Sequence, residues 1–319
     1  MKKKNIAKLA LGGLAVGGAA FAIGSNYLFK LAISTKTNKD KVFGPSEKDV
    51  SIDETSGLLN KEDLEWFKSR GDKKNVYILS DDNLKLHSYK INNEVETHKW
   101  VVVVHGYMSS AIYMSRIARY YYEMGYNILM LDLRGHGKSE GDYIGMGWPD
   151  RLDILLWIDY LIKMDKESEI VLHGVSMGAG AVMMVSGEEL PENIKAIVED
   201  CGYTSAWEQF KYQLKELYRL PSFPLMDGAN AISKAKTGYS IKQASAIDQV
   251  AKSKTPILFI HGDEDKFVPY EMMEELYNAA ECEKAMITIH GAGHAEAGTT
   301  NPEVYWNSVK SFLNKYIKE

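Results

Sequence analysis

The sequence predicts an α/β fold: a mostly parallel, eight-stranded sheet with helices on both faces. Three observations carry this. Short β-branched or apolar runs alternate with amphipathic stretches from residue 75 onward. The central runs, such as Trp100 to Val104, are apolar at consecutive positions, as strands covered on both faces require. Glycine-rich turns follow several runs, including Gly106, Gly135, Gly174 and Gly262, and ligands of open α/β sheets bind at the carboxyl ends of strands.

The strand runs are Val76 to Leu79 and Leu84 to Tyr89 around an Asp-Asp-Asn turn, then Trp100 to Val104, Asn127 to Leu131, Ile170 to His173, Ala196 to Glu199, Ile257 to Ile260 and Met286 to Ile289. Helical stretches fall between them near Ile112 to Glu123, Asp150 to Lys163, Gly178 to Gly187, Tyr270 to Ala280 and Glu303 to Tyr316. The stretch 204–250 interrupts this order. It is long, and rich in aromatic residues and Met (Trp207, Phe210, Tyr218, Met226). Structureless loops of that length are uncommon, so it reads as a small helical cap, with a crossover helix and a long tail as the plainer alternative.

Ahead of this domain the chain changes character. Residues 1–41 hold eight Lys against the single Asp40, or +7; because the whole chain carries −5, the remainder carries −12. An acidic catalytic part excludes nucleic acid as the expected partner. Leu9 to Phe29 contains no charged residue, and 21 helical residues span about 30 Å, the thickness of a bilayer's hydrocarbon core. Residues 1–33 therefore read as an N-terminal transmembrane anchor. Lysines flank it on both sides, and the short N-terminal tail favours a catalytic domain outside the cytoplasmic membrane. The competing reading is a signal peptide cleaved after the small residues Ala20 and Ala22, which would give a secreted protein. Residues 34–74, polar and containing Gly44-Pro45 and a short helix at Lys61 to Lys68, read as a linker, which leaves 75–319 as the catalytic domain. The two cysteines, Cys201 and Cys282, lie in unrelated contexts without metal-ligand spacing, so a zinc site is not expected and both read as buried thiols. Nothing in the sequence bears on oligomeric state.

Chemistry concentrates at the predicted turns. Gly174-Val175-Ser176-Met177-Gly178 follows the run Ile170 to His173 and opens a helix-prone segment. That is the setting of a nucleophile held in a strained strand-to-helix turn. The helix beyond it offers the backbone N–H of Met177 to a developing oxyanion, and the turn His105-Gly106-Tyr107 offers that of Tyr107 as a second donor. A serine hydroxyl needs a base. His294, in Gly291-Ala292-Gly293-His294-Ala295 after the last strand, is the expected base; His105, His136, His173 and His261 fall at strand ends and turns with structural roles, and His290 is expected to be packed. For the acid that orients His294, the segment His261-Gly262-Asp263-Glu264-Asp265 supplies candidates. Asp265 is preferred, Asp263 is expected to cap the turn, and Asp200 at the end of the sixth run stays open.

The segments HGYMSS, DLRGHGKSEG, GVSMG, HGDEDKFVP and GAGHAEA, in that order, resemble the α/β-hydrolase superfamily over about residues 75–317. Within it the chain is similar to the serine aminopeptidase or monoacylglycerol-lipase-like branch, and to membrane-anchored bacterial hydrolases of unassigned substrate. The resemblance implies that the acid is the Asp three residues after the strand-end Gly262, which is Asp265, that the oxyanion donors are Tyr107 and Met177, and that Arg134 to Ser139 shapes the site. Acyl transfer by a serine, a histidine and an acid needs no cofactor and no metal. The expected activity is serine hydrolysis of carboxylic esters of acyl or lipid-like substrates, with a serine peptidase, an acyltransferase, and a non-catalytic binding module as alternatives.

Overall fold

The computed structural model describes residues 3–39 and 60–317, with side chains of the first helix from Gly18 onward. Among these residues the strands are β1 (Lys74–Leu79), β2 (Lys85–Ile91), β3 (Lys99–Val104), β4 (Asn127–Asp132), β5 (Glu169–Val175), β6 (Ile194–Asp200), β7 (Ile257–Gly262) and β8 (Lys284–Ile289). The helices are α1 (Lys3–Ala32), α2 (Lys61–Ser69), α3 (Ser115–Glu123), α4 (Trp148–Met164), α5 (Met177–Val185), α6 (Ala206–Tyr218), α7 (Leu225–Thr237), α8 (Ala246–Val250), α9 (Glu271–Ala279), α10 (Ala297–Thr300) and α11 (Pro302–Leu313).

The eight strands form one sheet in the order β1-β2-β4-β3-β5-β6-β7-β8. β2 runs antiparallel to both its neighbours, and every pairing from β4 to β8 is parallel. Each central strand feeds two cores. In β3, Val102 and Val104 join Trp157 of α4 and Val182 of α5 on one face, while Val101 and Val103 join Ile117 of α3 and Val309 of α11 on the other. Alternate side chains of a strand point to opposite faces, and both faces here are covered. This accounts for the unbroken apolar runs.

Between β6 and β7 the chain builds the cap from α6, α7 and α8. Ser205 caps α6 by accepting the Glu208 N–H, as an N-cap serine does.

The first helix needs a correction to its expected surroundings. α1 is continuous over 30 residues, but its C-terminal half lies on the cap: Ser25, Phe29 and Leu31 are buried, and a Cβ at Gly228 of α7 would meet Ser25 at 2.1 Å. Among the described residues no helix is long and apolar enough to cross a membrane; the side chains of 9–17 lie outside them. The stretch expected to be a linker is also attached where it is described. Ile33 is buried and its carbonyl accepts the Ile144 N–H at 2.7 Å, Ser34 bridges to Tyr143, and α2 buries Leu64 and Phe67. Gly44-Pro45 lies outside the described residues.

Candidate active site

β5 runs directly into Ser176, which takes φ 55° and ψ −116°, a region that costs a non-glycine residue free energy and persists only where the surroundings impose it. The surroundings here are backbone. The Ser176 N–H donates to the Asp200 carbonyl at 2.8 Å. A Cβ at Gly174 would lie 2.2 Å from the Gly178 oxygen, and one at Gly178 would lie 2.1 Å from the Val104 oxygen. These two glycines are required by close approach, which lets α5 start against the end of β3.

The loops after β7 and β8 bring two more nominated residues to Ser176. His294 Nε2 lies 2.9 Å from Ser176 Oγ, and His294 Nδ1 lies 2.7 Å from Asp265 Oδ2. The other carboxylate oxygen of Asp265 accepts the backbone N–H groups of Phe267 and Val268 at 2.8 and 2.9 Å. Burial works to raise the Asp265 pKa, but hydrogen bonds from His261 and His294 outweigh it and hold the carboxyl well below its ordinary range. The Phe267 ring packs against the His294 imidazole, with centroids 4.9 Å apart.

The competing carboxylates have other partners. Asp263 accepts from the Gly291 N–H and from His290, each at 2.7 Å. Asp200 is buried and accepts the Tyr305 hydroxyl at 2.9 Å; burial pushes its pKa up to about 6. His290, expected to be packed, instead has an 86% exposed side chain, because β8 is the sheet's edge strand. His105 pins the turn after β3: Nδ1–H donates to the Gly106 carbonyl and Nε2 accepts the Leu133 N–H. Arg134 forms a buried two-point pair with Asp153 at 2.7 Å.

Tyr107 and Met177 line the same pocket as Ser176, together with Met146, Tyr203, Phe210 and Phe267. Cys201 Sγ, an Asp265 oxygen and a His294 nitrogen lie within 4.8 Å of one another, but Asp265 already accepts from Phe267, Val268 and His294, and burial raises the Cys201 thiol pKa far above its usual value. The Asp265 and His294 atoms are committed to the hydrogen-bonded chain with Ser176.

Two features of the site were missed in the sequence. His261 Nε2 lies 3.2 Å from Asp265 Oδ2 and donates to the Val268 carbonyl at 3.0 Å, so Asp265 is held by a second imidazole; the His-to-Asp spacing of four was visible but has no unique meaning. Beyond it sits Glu199, whose pKa burial pushes up to about 8. The second feature is the attachment of α1. The Tyr107 hydroxyl lies 3.0 and 2.9 Å from the Leu31 and Ala32 carbonyls at the end of α1, and it accepts from Lys39 Nζ at 2.7 Å. Burial draws the Lys39 pKa down to about 7. No periodicity in residues 31–39 announces this contact.

Comparison with known proteins now adds to this geometry. A family model described as serine aminopeptidase, S33, matches residues 95–218, and one described as serine hydrolase (FSH1) matches residues 171–295. The chain is 29% identical over 220 residues to the uncharacterized protein YqkD of Bacillus subtilis, covering 69% of this chain and 72% of that one. It superposes on the structure of an esterase from Pyrococcus furiosus with a TM-score of 0.63 at 26% identity, over 83% of this chain and 97% of the esterase. The chain belongs to the α/β-hydrolase superfamily. As an α/β hydrolase it is an enzyme of the hydrolase class. This hydrolase is also 26% identical over 162 residues to the lysophosphatidylserine lipase ABHD12 of Xenopus tropicalis, a match covering 49% of this chain and 40% of that protein.

Proposed function

We propose that this α/β hydrolase is a serine esterase acting on acyl or lipid-like carboxylic esters, with Ser176 as nucleophile, His294 as base and Asp265 as orienting acid. The observation that carries the reading is the unbroken chain from Ser176 Oγ through His294 to Asp265, at 2.9 and 2.7 Å. Ser176 Oγ attacks the ester carbonyl as His294 Nε2 takes its proton. The Tyr107 and Met177 backbone N–H groups receive the oxyanion. His294 then protonates the departing alcohol, and water deacylates the serine. Asp265 fixes the Nδ1–H tautomer of His294 and stabilises the imidazolium.

An ester substrate is favoured over an aminopeptidase one by the lining of the pocket. Recognition of a substrate ammonium group needs an available carboxylate, and the side chains around Ser176 are Tyr, Met, Phe, Val and Gln. The lipase among the relatives supports a lipid-like acyl group. Membrane attachment through α1, with the catalytic domain outside the cytoplasmic membrane, is part of the proposal; the uncharged residues of α1 ahead of Ser25 and the lysines that precede them support it. The functional test compares p-nitrophenyl butyrate with aminoacyl p-nitroanilides on the purified full-length chain. Ester turnover exceeding anilide turnover by orders of magnitude is expected; the reverse order makes the enzyme a peptidase.

A further inference from the structure

An apolar groove lies between α1 and the cap. α1 supplies Leu28 and Leu31, α6 supplies Leu214 and Leu217, and α7 supplies Met226 and Ala229. Among the described residues no charged side chain lines it. Of its two polar residues, Gln213 donates its amide N–H to the Phe267 carbonyl at 2.7 Å, and the Tyr218 hydroxyl lies 3.4 Å from that of Tyr27.

This groove adjoins the site. Phe210 and Gln213 line both the groove and the pocket that holds Ser176. The wall contributed by α1 is also fixed to the catalytic turn, because the Leu31 carbonyl meets the hydroxyl of Tyr107. An apolar groove that shares a wall with the pocket of Ser176 is suited to a hydrocarbon chain attached to the carbonyl under attack, since burial of methylenes is what such a surface rewards.

We propose that α1 and the cap together form an acyl-binding groove, so that the substrate is a long-chain acyl ester whose tail lies between α1 and α6 while its carbonyl sits at Ser176. This rests on the ester-hydrolase reading and narrows it. The Ser176 Oγ–carbonyl bond forms, the ester C–O bond breaks, the alcohol leaves with the proton held by His294, and water then releases the long-chain carboxylic acid. α1 is thereby one wall of the substrate site as well as an N-terminal attachment.

The test measures kcat/KM of the full-length protein on p-nitrophenyl butyrate and decanoate. Each added methylene that enters the groove raises kcat/KM by up to about fourfold, so the wild-type decanoate-to-butyrate ratio is expected well above one. Leu28→Asp and Leu217→Asp place a charge in the groove at positions that are already partly exposed, 46% for Leu217, and each is expected to lower that ratio about tenfold or more. Leu28→Trp, which fills the groove without charge, is expected to shift the preferred chain length downward. A ratio unchanged in all three variants, or butyrate and decanoate falling in parallel, overturns the groove while leaving the esterase standing. Failure of the wild type to hydrolyse either ester overturns the ester reading and the groove with it.

Discussion

Replacing Asp265 by Asn tests the hydrogen-bonded chain at its most constrained point. The side-chain oxygen that accepts from Phe267 and Val268 at 2.8 and 2.9 Å fixes which end of the new amide faces inward. The amide nitrogen is then left against His294 Nδ1 and His261 Nε2, at the 2.7 and 3.2 Å separations now filled by a carboxylate oxygen. A donor there requires His294 to accept at Nδ1, which puts the ring hydrogen on Nε2 and leaves no lone pair for the Ser176 proton. In the serine-protease example of this substitution the wrong tautomer costs about 10⁴ in kcat, or about 5.5 kcal/mol of transition-state stabilisation. We expect a similar loss in kcat on p-nitrophenyl butyrate with KM nearly unchanged. The wild-type carboxyl also carries a pH signature. Its pKa is depressed on folding from the ordinary value of about 3.9, so its contribution to stability is fully present above about pH 5 and is lost as pH falls below that. Asp265→Asn is therefore expected to melt with a flatter acid limb than the wild type. A variant within tenfold of wild-type kcat refutes the assigned role of Asp265; if Asp200→Asn is then the inactive one, the acid belongs to β6.

Three further outcomes follow from the same contacts. Gly178→Ala drives a Cβ to 2.1 Å from the Val104 carbonyl oxygen, and thermal unfolding is expected to show a loss of about 1–3 kcal/mol or more as α5 is forced from β3, together with reduced turnover. Glu199→Gln removes a buried carboxyl whose pKa is raised from an ordinary value of about 4.3 to about 8; a raised folded pKa gives stability that is present at low pH and lost as pH rises towards 8, so the wild-type melting temperature is expected to fall between pH 5 and 8 more steeply than that of the variant. Tyr107→Phe keeps the backbone N–H but deprives Lys39 and the end of α1 of the hydroxyl; limited proteolysis is expected to cut within residues 33–39 faster than in the wild type, at a stability cost of about 1–3 kcal/mol for the buried groups left unpaired.

The central strands were legible because burial on both faces leaves apolar residues at consecutive positions: in the structure Trp100 to Val104 gains only Lys99, and Ile170 to His173 gains Glu169 before it and Gly174 and Val175 after it. The strained turn at Ser176 was legible for a steric reason, since Gly174 and Gly178 stand where a Cβ cannot. Ser176, His294 and Asp265 are separated by up to 118 residues yet meet through three loops at one edge of the sheet, an arrangement that strand order alone suggests. What the sequence did not disclose depends on contacts with no period. Lys39 looks like one of several basic residues following an apolar run, and only the fold shows it buried against Tyr107. His290 ends an apolar run and reads as packed, but the edge position of β8 leaves it in solvent. The uncharged stretch Leu9 to Phe29 reads as lipid-facing throughout, whereas its last two turns find their apolar partner in α7.

The account turns on Ser176 being the activated nucleophile, and reaction with a fluorophosphonate probe followed by peptide mass spectrometry tests this most directly. The account predicts a single adduct on Ser176 in the wild type, none in Ser176→Ala, and labelling slowed by orders of magnitude in His294→Ala. An unreactive wild-type protein, or an adduct on another residue that persists in Ser176→Ala, would contradict it.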